Sequence, residues 1–327
     1  MTNQPTDNNT PIMPPEFLPR DPNYSIGELP LVGIVGHGFV GKAVERSFQP
    51  EVSRFIVDPN YGTTIDQLVE KRPSLTFVCT PTPVDDNGAI DAAVTRDAIL
   101  KLIRNSKSAV VLKSTVTPDE MDKICRTLHA EDALSRFLYA PEFLTEKNAD
   151  QEFCEPNYSV FGGYETSVDE LCSFYHHNTS VVFSKNVHLV GHVEAAYIKY
   201  AVNSFLAMKV IFFNQLRDYC EEQPWSTNPM VVAKSVAAEP RIGTTHWRAP
   251  GFDGKKGFGG ACFPKDISAM VSSTKKFSLM EKVLEINSEY RKEYELDERE
   301  IAANIKFDDV LTPEEMNEMV QKASGEN

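Results

Sequence analysis

Between residues 31 and 190, short apolar runs alternate with amphipathic stretches, and no other feature of the sequence restricts the fold as much. The apolar runs cover 31–35, 54–57, 75–79, 109–112, 137–140 and 158–161. Helical spacing covers 39–48, 65–71, 95–105 and 118–129. Strands that are apolar along their whole length have two faces to bury, and helices between them supply the cover. The pattern therefore predicts an α/β fold with a Rossmann-type, doubly wound parallel sheet. Residues 1–29, rich in Pro, Asn and Asp without apolar period, read as a mobile extension, which places the first domain at 30–190. At Gly191 the alternation stops. Residues 192–222 contain neither Gly nor Pro and are apolar almost all round between 195 and 216. One long helix is expected there, buried between domains or against a second subunit. This central helix is placed at 191–224, a small all-helical domain at 225–305 and an acidic tail at 306–327. Inside the tail, Thr312 and Glu315 stand at capping-box spacing.

The turn after the first run reads Gly36-His37-Gly38-Phe39-Val40-Gly41, and Asp58 ends the next run, 20 residues beyond Gly38. With a strand before it and a helix after it, each part has a physical task. Gly36 permits the tight turn, Gly38 lets backbone approach a pyrophosphate, and Gly41 lets helix pack on strand. The helix N-terminus faces the phosphate charge. Asp58 would accept hydrogen bonds from an adenosine ribose and repel a 2′-phosphate, so the cofactor expected is NAD. The plain alternative is a glycine-rich turn that binds nothing.

A second stretch, Gly257-Phe258-Gly259-Gly260-Ala261-Cys262-Phe263-Pro264-Lys265-Asp266, sets one thiol in a flexible loop ahead of a proline, a cation and a carboxylate. Pro264 suits the first position of a helix. Cys262 would then lie at the positive end, with Lys265 about one turn away, and both favour thiolate. A structural cysteine after a glycine turn is the competing interpretation; structural cysteines more often sit among apolar neighbours.

Composition narrows the partners. A net charge of −14 argues against nucleic acid and against an anionic membrane. No apolar run reads as long enough to span a bilayer, and the N-terminus lacks the pattern of a signal peptide. The six cysteines have no paired spacing, which predicts neither a metal site nor a disulfide framework, and a reducing cytoplasm.

A thiol joined to an NAD-binding domain suggests oxidation through a thiohemiacetal, and here the chain resembles the UDP-glucose/GDP-mannose dehydrogenase family. The resemblance runs from about residue 31 to 287. It rests on segments in the family's order: the 36–41 turn, Val78-Cys-Thr-Pro-Thr-Pro83, Lys113-Ser-Thr-Val116, Pro141-Glu-Phe-Leu144 with Glu146, Lys199 and Asn203, Glu239-Pro-Arg-Ile-Gly243, and the Cys262 loop. The resemblance implies a four-electron oxidation of a UDP-sugar, UDP-glucose by default, consuming two NAD and one water. Cys262 would capture the aldehyde and carry the thioester. Lys199 and Asn203, four residues apart, would stabilise developing negative charge. Asp266 would position or activate water, and Glu146 with Thr115 would assist hydrolysis. Phe39, Val40, Thr80, Thr115 and Lys265 join the cofactor set. Glu142, Phe143, Leu144, Arg241 and Gly259 join the substrate set, with Arg241 reaching into a partner's site in a homodimer.

Two departures are visible. Only 40 residues follow Asn287, too few for the family's usual nucleotide-gripping domain, and the segment between Asp58 and Val78 is short, as though one sheet connection were trimmed. Two other functions stay open. A two-electron 3-hydroxyacid dehydrogenase would share the Rossmann domain and the Lys-x-x-x-Asn pair but need no thiol. A catalytically idle relative would bind NAD or a partner only.

Overall fold

Apolar strands and amphipathic helices do alternate between residues 31 and 190. The computed structural model describes residues 30–145 and 148–307; the extension at 1–29, Glu146, and the tail with its capping-box pair at 312–315 lie outside them. In chain order the elements are β1 (Leu31–Val35), α1 (Phe39–Ser47), β2 (Ser53–Val57), α2 (Ile65–Glu70), β3 (Leu75–Val78), α3 (Ala93–Asn105), β4 (Ala109–Leu112), α4 (Pro118–Ala130) and β5 (Phe137–Tyr139). Then come α5 (Ala149–Cys154), β6 (Ser159–Gly162), α6 (Glu165–Asn178), β7 (Val187–Val190) and α7 (His192–Glu222). The last are α8 (Pro229–Ala237), α9 (Cys262–Ser273), α10 (Ser278–Arg291) and α11 (Glu298–Ala302).

The chain divides into two units. Among the described residues, one comprises 30–82 with Ala92–Lys199; the other comprises Pro83–Asp91 with 200–307. In the first, seven strands form one sheet in the order β2-β1-β3-β4-β5-β6-β7. All pairs are parallel except β5 with β6, so the sheet is mostly rather than wholly parallel. Alternate residues along the strands bury opposite faces. Val32, Ile34, Leu75, Phe77 and Val111 pack with α1, α5 and α6 residues such as Val44, Phe153 and Leu171. On the other face a Cβ at Gly33 would run into Leu68 of α2 at 2.6 Å, so glycine there permits close helix–strand approach. Among the described residues β2 forms the sheet edge, with no strand outside it. That agrees with the short 58–78 segment, which carries a 3-10 turn at Pro59–Tyr61 and the two-turn α2 before the chain crosses β1 to enter β3. The reversal leaves a crevice beyond the carboxyl ends of β1 and β3, where ligands of doubly wound sheets bind.

Helix α7 begins and ends close to where the sequence places it. By length and composition it is a membrane-span candidate, which corrects the expectation that no segment is long enough. Half of its most apolar window is buried inside the protein, and Lys199, Asn203, Lys209 and Asn214 are buried along it. The second unit is helical, with Ala207 and Ile211 of α7 packed on Ile267, Met280 and Val283 of α9 and α10.

Candidate functional site

The first unit assembles its candidate groups at the carboxyl ends of β1, β2 and β3. Gly36 has φ +89°, and a Cβ there would lie 2.6 Å from the Cys79 carbonyl oxygen. At Gly41 a Cβ would collide with the Gly36 carbonyl, whereas at Gly38 it would meet nothing within 4 Å. The three glycines thus differ in their surroundings: a positive-φ turn at Gly36, open space at Gly38 and close packing at Gly41. Gly38 is the N-cap of α1 and supplies no side-chain cap, and the first turn holds no acid. Its orphan N–H groups and positive end are available to phosphate. Asp58 lies opposite. One carboxylate oxygen accepts from the His37 backbone N–H at 2.8 Å, the other from Asn60 N–H at 2.9 Å. The His37 bond, opposed by burial and reinforced by Asn60, holds the Asp58 carboxyl below the usual range. Each oxygen keeps a lone pair for a ribose hydroxyl. Phe39 is exposed and Val40 half-buried at the start of α1. Thr80 is hydrogen-bonded to Thr95 at 2.8 Å, and the Thr115 carbonyl accepts from Thr82 at 2.9 Å.

A second cluster in this unit surrounds the Pro141–Leu144 loop. The Lys199 ammonium donates to the Glu142 carbonyl at 2.5 Å and stands 4.9 Å over the Phe143 ring. The Glu142 carboxylate pairs with buried Lys113, a partner the sequence quoted within a motif but assigned no role. Burial opposes charge on Lys113, yet Glu142 and Tyr175 outweigh it and hold the amine above its ordinary range. Beneath the loop lies a cavity of about 180 Å³, to which Lys113, Glu142, Phe143, Leu144 and Tyr175 contribute. Glu146 is outside the described residues.

The second unit carries the thiol. Helix α9 starts at Cys262 itself, not at Pro264, which occupies the third helical position. The first four N–H groups of a helix have no intrahelical partner, so proline is accommodated there as well as at the first. Cys262 is therefore the first residue of the helix, still at its positive end, and it is exposed. All six cysteines are described, and none forms a disulfide. Burial pushes the thiols of Cys79, Cys125 and Cys172 up to about 12, which makes them poor nucleophiles at neutral pH. One turn after Cys262, buried Asp266 accepts from Asn203 at 2.6 Å through one oxygen and pairs with Lys265 at 2.5 Å through the other. Arg241 is exposed and bonded to Glu239 at 2.6 Å, in a loop whose carbonyls at Ile242 and Gly243 are held by Lys209 at 2.9 Å. Sequence reasoning missed the groups that hold the Cys262 loop. Asn214 accepts from Gly257 N–H at 3.1 Å, and Asn287 brackets Phe258 through both its amide atoms.

Comparison with known proteins gives these features a family. Residues 42–179 match the model of the UDP-glucose/GDP-mannose dehydrogenase family's NAD binding domain, and residues 193–289 match the same family's central domain. The chain belongs to the UDP-glucose/GDP-mannose dehydrogenase family. A UDP-glucose 6-dehydrogenase from Rickettsia bellii is 33% identical over 218 residues, 66% of this chain and 48% of that protein. The chain thus spans about half the length of the curated relatives it matches. In fold it is similar to a UDP-glucose dehydrogenase from Pyrobaculum islandicum, with a TM-score of 0.64 at 23% identity, covering 83% of this chain and 70% of that one. It is also similar to a 3-hydroxyisobutyrate dehydrogenase from Mycobacterium tuberculosis, with a TM-score of 0.57 at 17% identity, covering 85% and 97%. The family's NAD binding domain makes NAD the cofactor, and the open approach at Gly38, the uncapped start of α1 and the unspent lone pairs of Asp58 fit it.

Proposed function

We propose that this protein is an NAD-dependent nucleotide-sugar dehydrogenase that oxidises the hydroxymethyl group of a UDP-sugar to a carboxylate, with UDP-glucose the first substrate to try. The observation that carries this is Cys262, exposed as the first residue of α9, one turn from a buried carboxylate that already engages Asn203 and Lys265. When bound, NAD accepts the two electrons of each oxidation step. Removing a hydride and a proton from the alcohol gives an aldehyde. The Cys262 sulfur then adds to the carbonyl carbon, forming a C–S bond and a thiohemiacetal. Loss of a second hydride and proton leaves a thioester, and water cleaves the C–S bond to release acid and thiol.

Lys199 and Asn203 supply the charge and amide donor that favour the oxyanions along this path. Both Asp266 oxygens are engaged by side chains, which favours positioning over proton abstraction: it holds the Asn203 amide and the Lys265 ammonium in place. Thr115 and Glu146 belong to thioester hydrolysis, and Glu142, with the Phe143–Leu144 backbone, to the sugar end. The working assembly is a homodimer through the exposed face of α7, with Arg241 of each chain serving its partner's substrate.

The decisive measurement is NADH formed per UDP-glucose consumed. Two are expected, with the acid as product, and Cys262→Ala should form no acid. One NADH per molecule, or turnover of 3-hydroxyacids in place of UDP-sugars, would move the protein to the two-electron class.

A further inference from the structure

Beyond residue 289, where the family match ends, the chain returns to the Cys262 loop and fastens it. Helix α11 opens with a capping box in which Asp297 accepts from Glu300 N–H at 2.9 Å and Glu300 accepts from Asp297 N–H at 2.8 Å. A capping-box glutamate ordinarily ends its work there, at a solvent-exposed helix start. Glu300 is instead fully buried, and its other oxygen accepts two more hydrogen bonds: from the Gly260 backbone N–H at 2.9 Å and from Arg291 at 3.0 Å. Arg291 is itself buried, and its second nitrogen reaches Asp253 at 2.8 Å, at the far side of the same loop. A Cβ on Gly259 would strike both Arg291 and Glu300, so the loop is pressed directly onto this pair.

The residues after α11 add a second fastening. Ala303, Ile305 and Phe307 cluster with Val84 and Ile90 of the 83–91 turn and with Ala261, the residue before the thiol. Val84 N–H donates to the Ala303 carbonyl at 3.3 Å, Asn304 donates to the Val84 carbonyl at 2.9 Å, and Lys306 pairs with Asp86 at 3.0 Å. The two residues immediately upstream of Cys262 are therefore held by different means, Gly260 by a buried carboxylate and Ala261 by apolar packing.

We infer that Glu300 is a positioning residue for Cys262, and that the segment 297–307 is a strap fixing the thiol at the first position of α9. This rests on Cys262 being the reacting group, but not on the substrate. A thiolate held at a helix N-terminus is stabilised by the orphan N–H groups there. If Gly260 is released, the start of α9 frays, that stabilisation is lost and the thiol reacts at higher pH.

The test is the pH profile of Cys262 alkylation by iodoacetamide in the full-length protein, read by mass spectrometry of the Cys262 peptide. It needs no sugar, so failure to oxidise UDP-glucose would not touch it. Glu300→Ala should raise the midpoint and slow the reaction at pH 7 by about three- to tenfold. Glu300→Gln, which keeps an acceptor for Gly260, should recover most of that loss, and Lys282→Ala, which removes only an exposed ion pair on α10 outside the strap, should leave the profile unmoved. A profile unchanged in folded Glu300→Ala overturns the inference. Should that variant not fold, hydrogen exchange of the unaltered protein decides: a protected Gly260 amide is expected, and exchange at the rate of an unstructured chain would overturn the inference equally.

Discussion

Asp58 illustrates how one side chain can be tuned before any ligand arrives. Its carboxylate is bound by the His37 amide of the glycine turn, opposed by burial and helped by Asn60, and so ionises below the usual carboxylate range. A carboxyl with a depressed folded pKa contributes stability above its ordinary value, about 3.9, and loses it only as pH falls through the lower folded value. Asp58 should therefore stay charged across the working range, and NAD affinity should not decline between pH 8 and 5 on its account. Asp58→Asn keeps the shape but removes the charge that we propose accepts from ribose and repels a 2′-phosphate. The expected outcome in a fluorescence titration is about tenfold weaker NAD binding, the loss of one charge-assisted hydrogen bond, with NADP binding improved. An unchanged NAD to NADP preference would remove Asp58 from the adenosine site.

Glycine turns, strand ends and the helix holding Lys199 and Asn203 were legible in the sequence because their constraints are local. Gly36 and Gly41 each say something about their own backbone, and residues four apart share a helix face. What stayed hidden depends on pairing across long separations. Neither the antiparallel step from β5 to β6 nor the bond from Glu300 to Gly260, 40 residues apart, has a periodic signature. The same holds for Lys113 and Glu142, an ion pair that couples the end of β4 to the loop after β5. Lys113 is almost wholly buried, and its apolar surroundings include the aromatic ring of Phe153 at 5.3 Å from the ammonium. Removing one member of such a pair leaves the other uncompensated, so Lys113→Met should cost about 3–5 kcal/mol in urea unfolding, and Lys113→Met with Glu142→Leu less than that. A lysine raised in the folded state contributes stability that is complete below its ordinary value of about 10.4 and is lost as pH rises through the folded value. The difference between wild type and Lys113→Met should accordingly shrink in measurements above that pH, and a difference that stays constant would mean the amine is not charged in the fold.

At the scale of the whole molecule, α7 presents a face that one chain does not cover. Phe205, Phe212 and Tyr219 follow one another at seven-residue intervals and are 60%, 55% and 61% exposed, while Ala207, Ile211 and Phe213 are buried. Seven-residue spacing drifts by only about 20° per repeat on a straight helix, so the three rings form one stripe, suited to the same stripe of a second copy. Burying large apolar rings of this kind releases roughly 25 cal/mol per Å². The unaltered protein should therefore sediment as a dimer at micromolar concentration, and Phe205→Lys with Phe212→Lys should sediment as a monomer. A monomeric wild type would end the proposal. If Arg241, exposed beside Glu239, serves the partner's substrate, the dimer has a second signature. Neither Cys262→Ala nor Arg241→Ala alone should oxidise UDP-glucose appreciably. Mixed in equal amounts and allowed to exchange, half the dimers pair one chain of each kind, and each such dimer holds one site with an intact thiol and an intact partner arginine. Activity should then return to about a quarter of the wild-type level. If Arg241 acts on its own chain's site, both sites of every mixed dimer are damaged and mixing restores nothing.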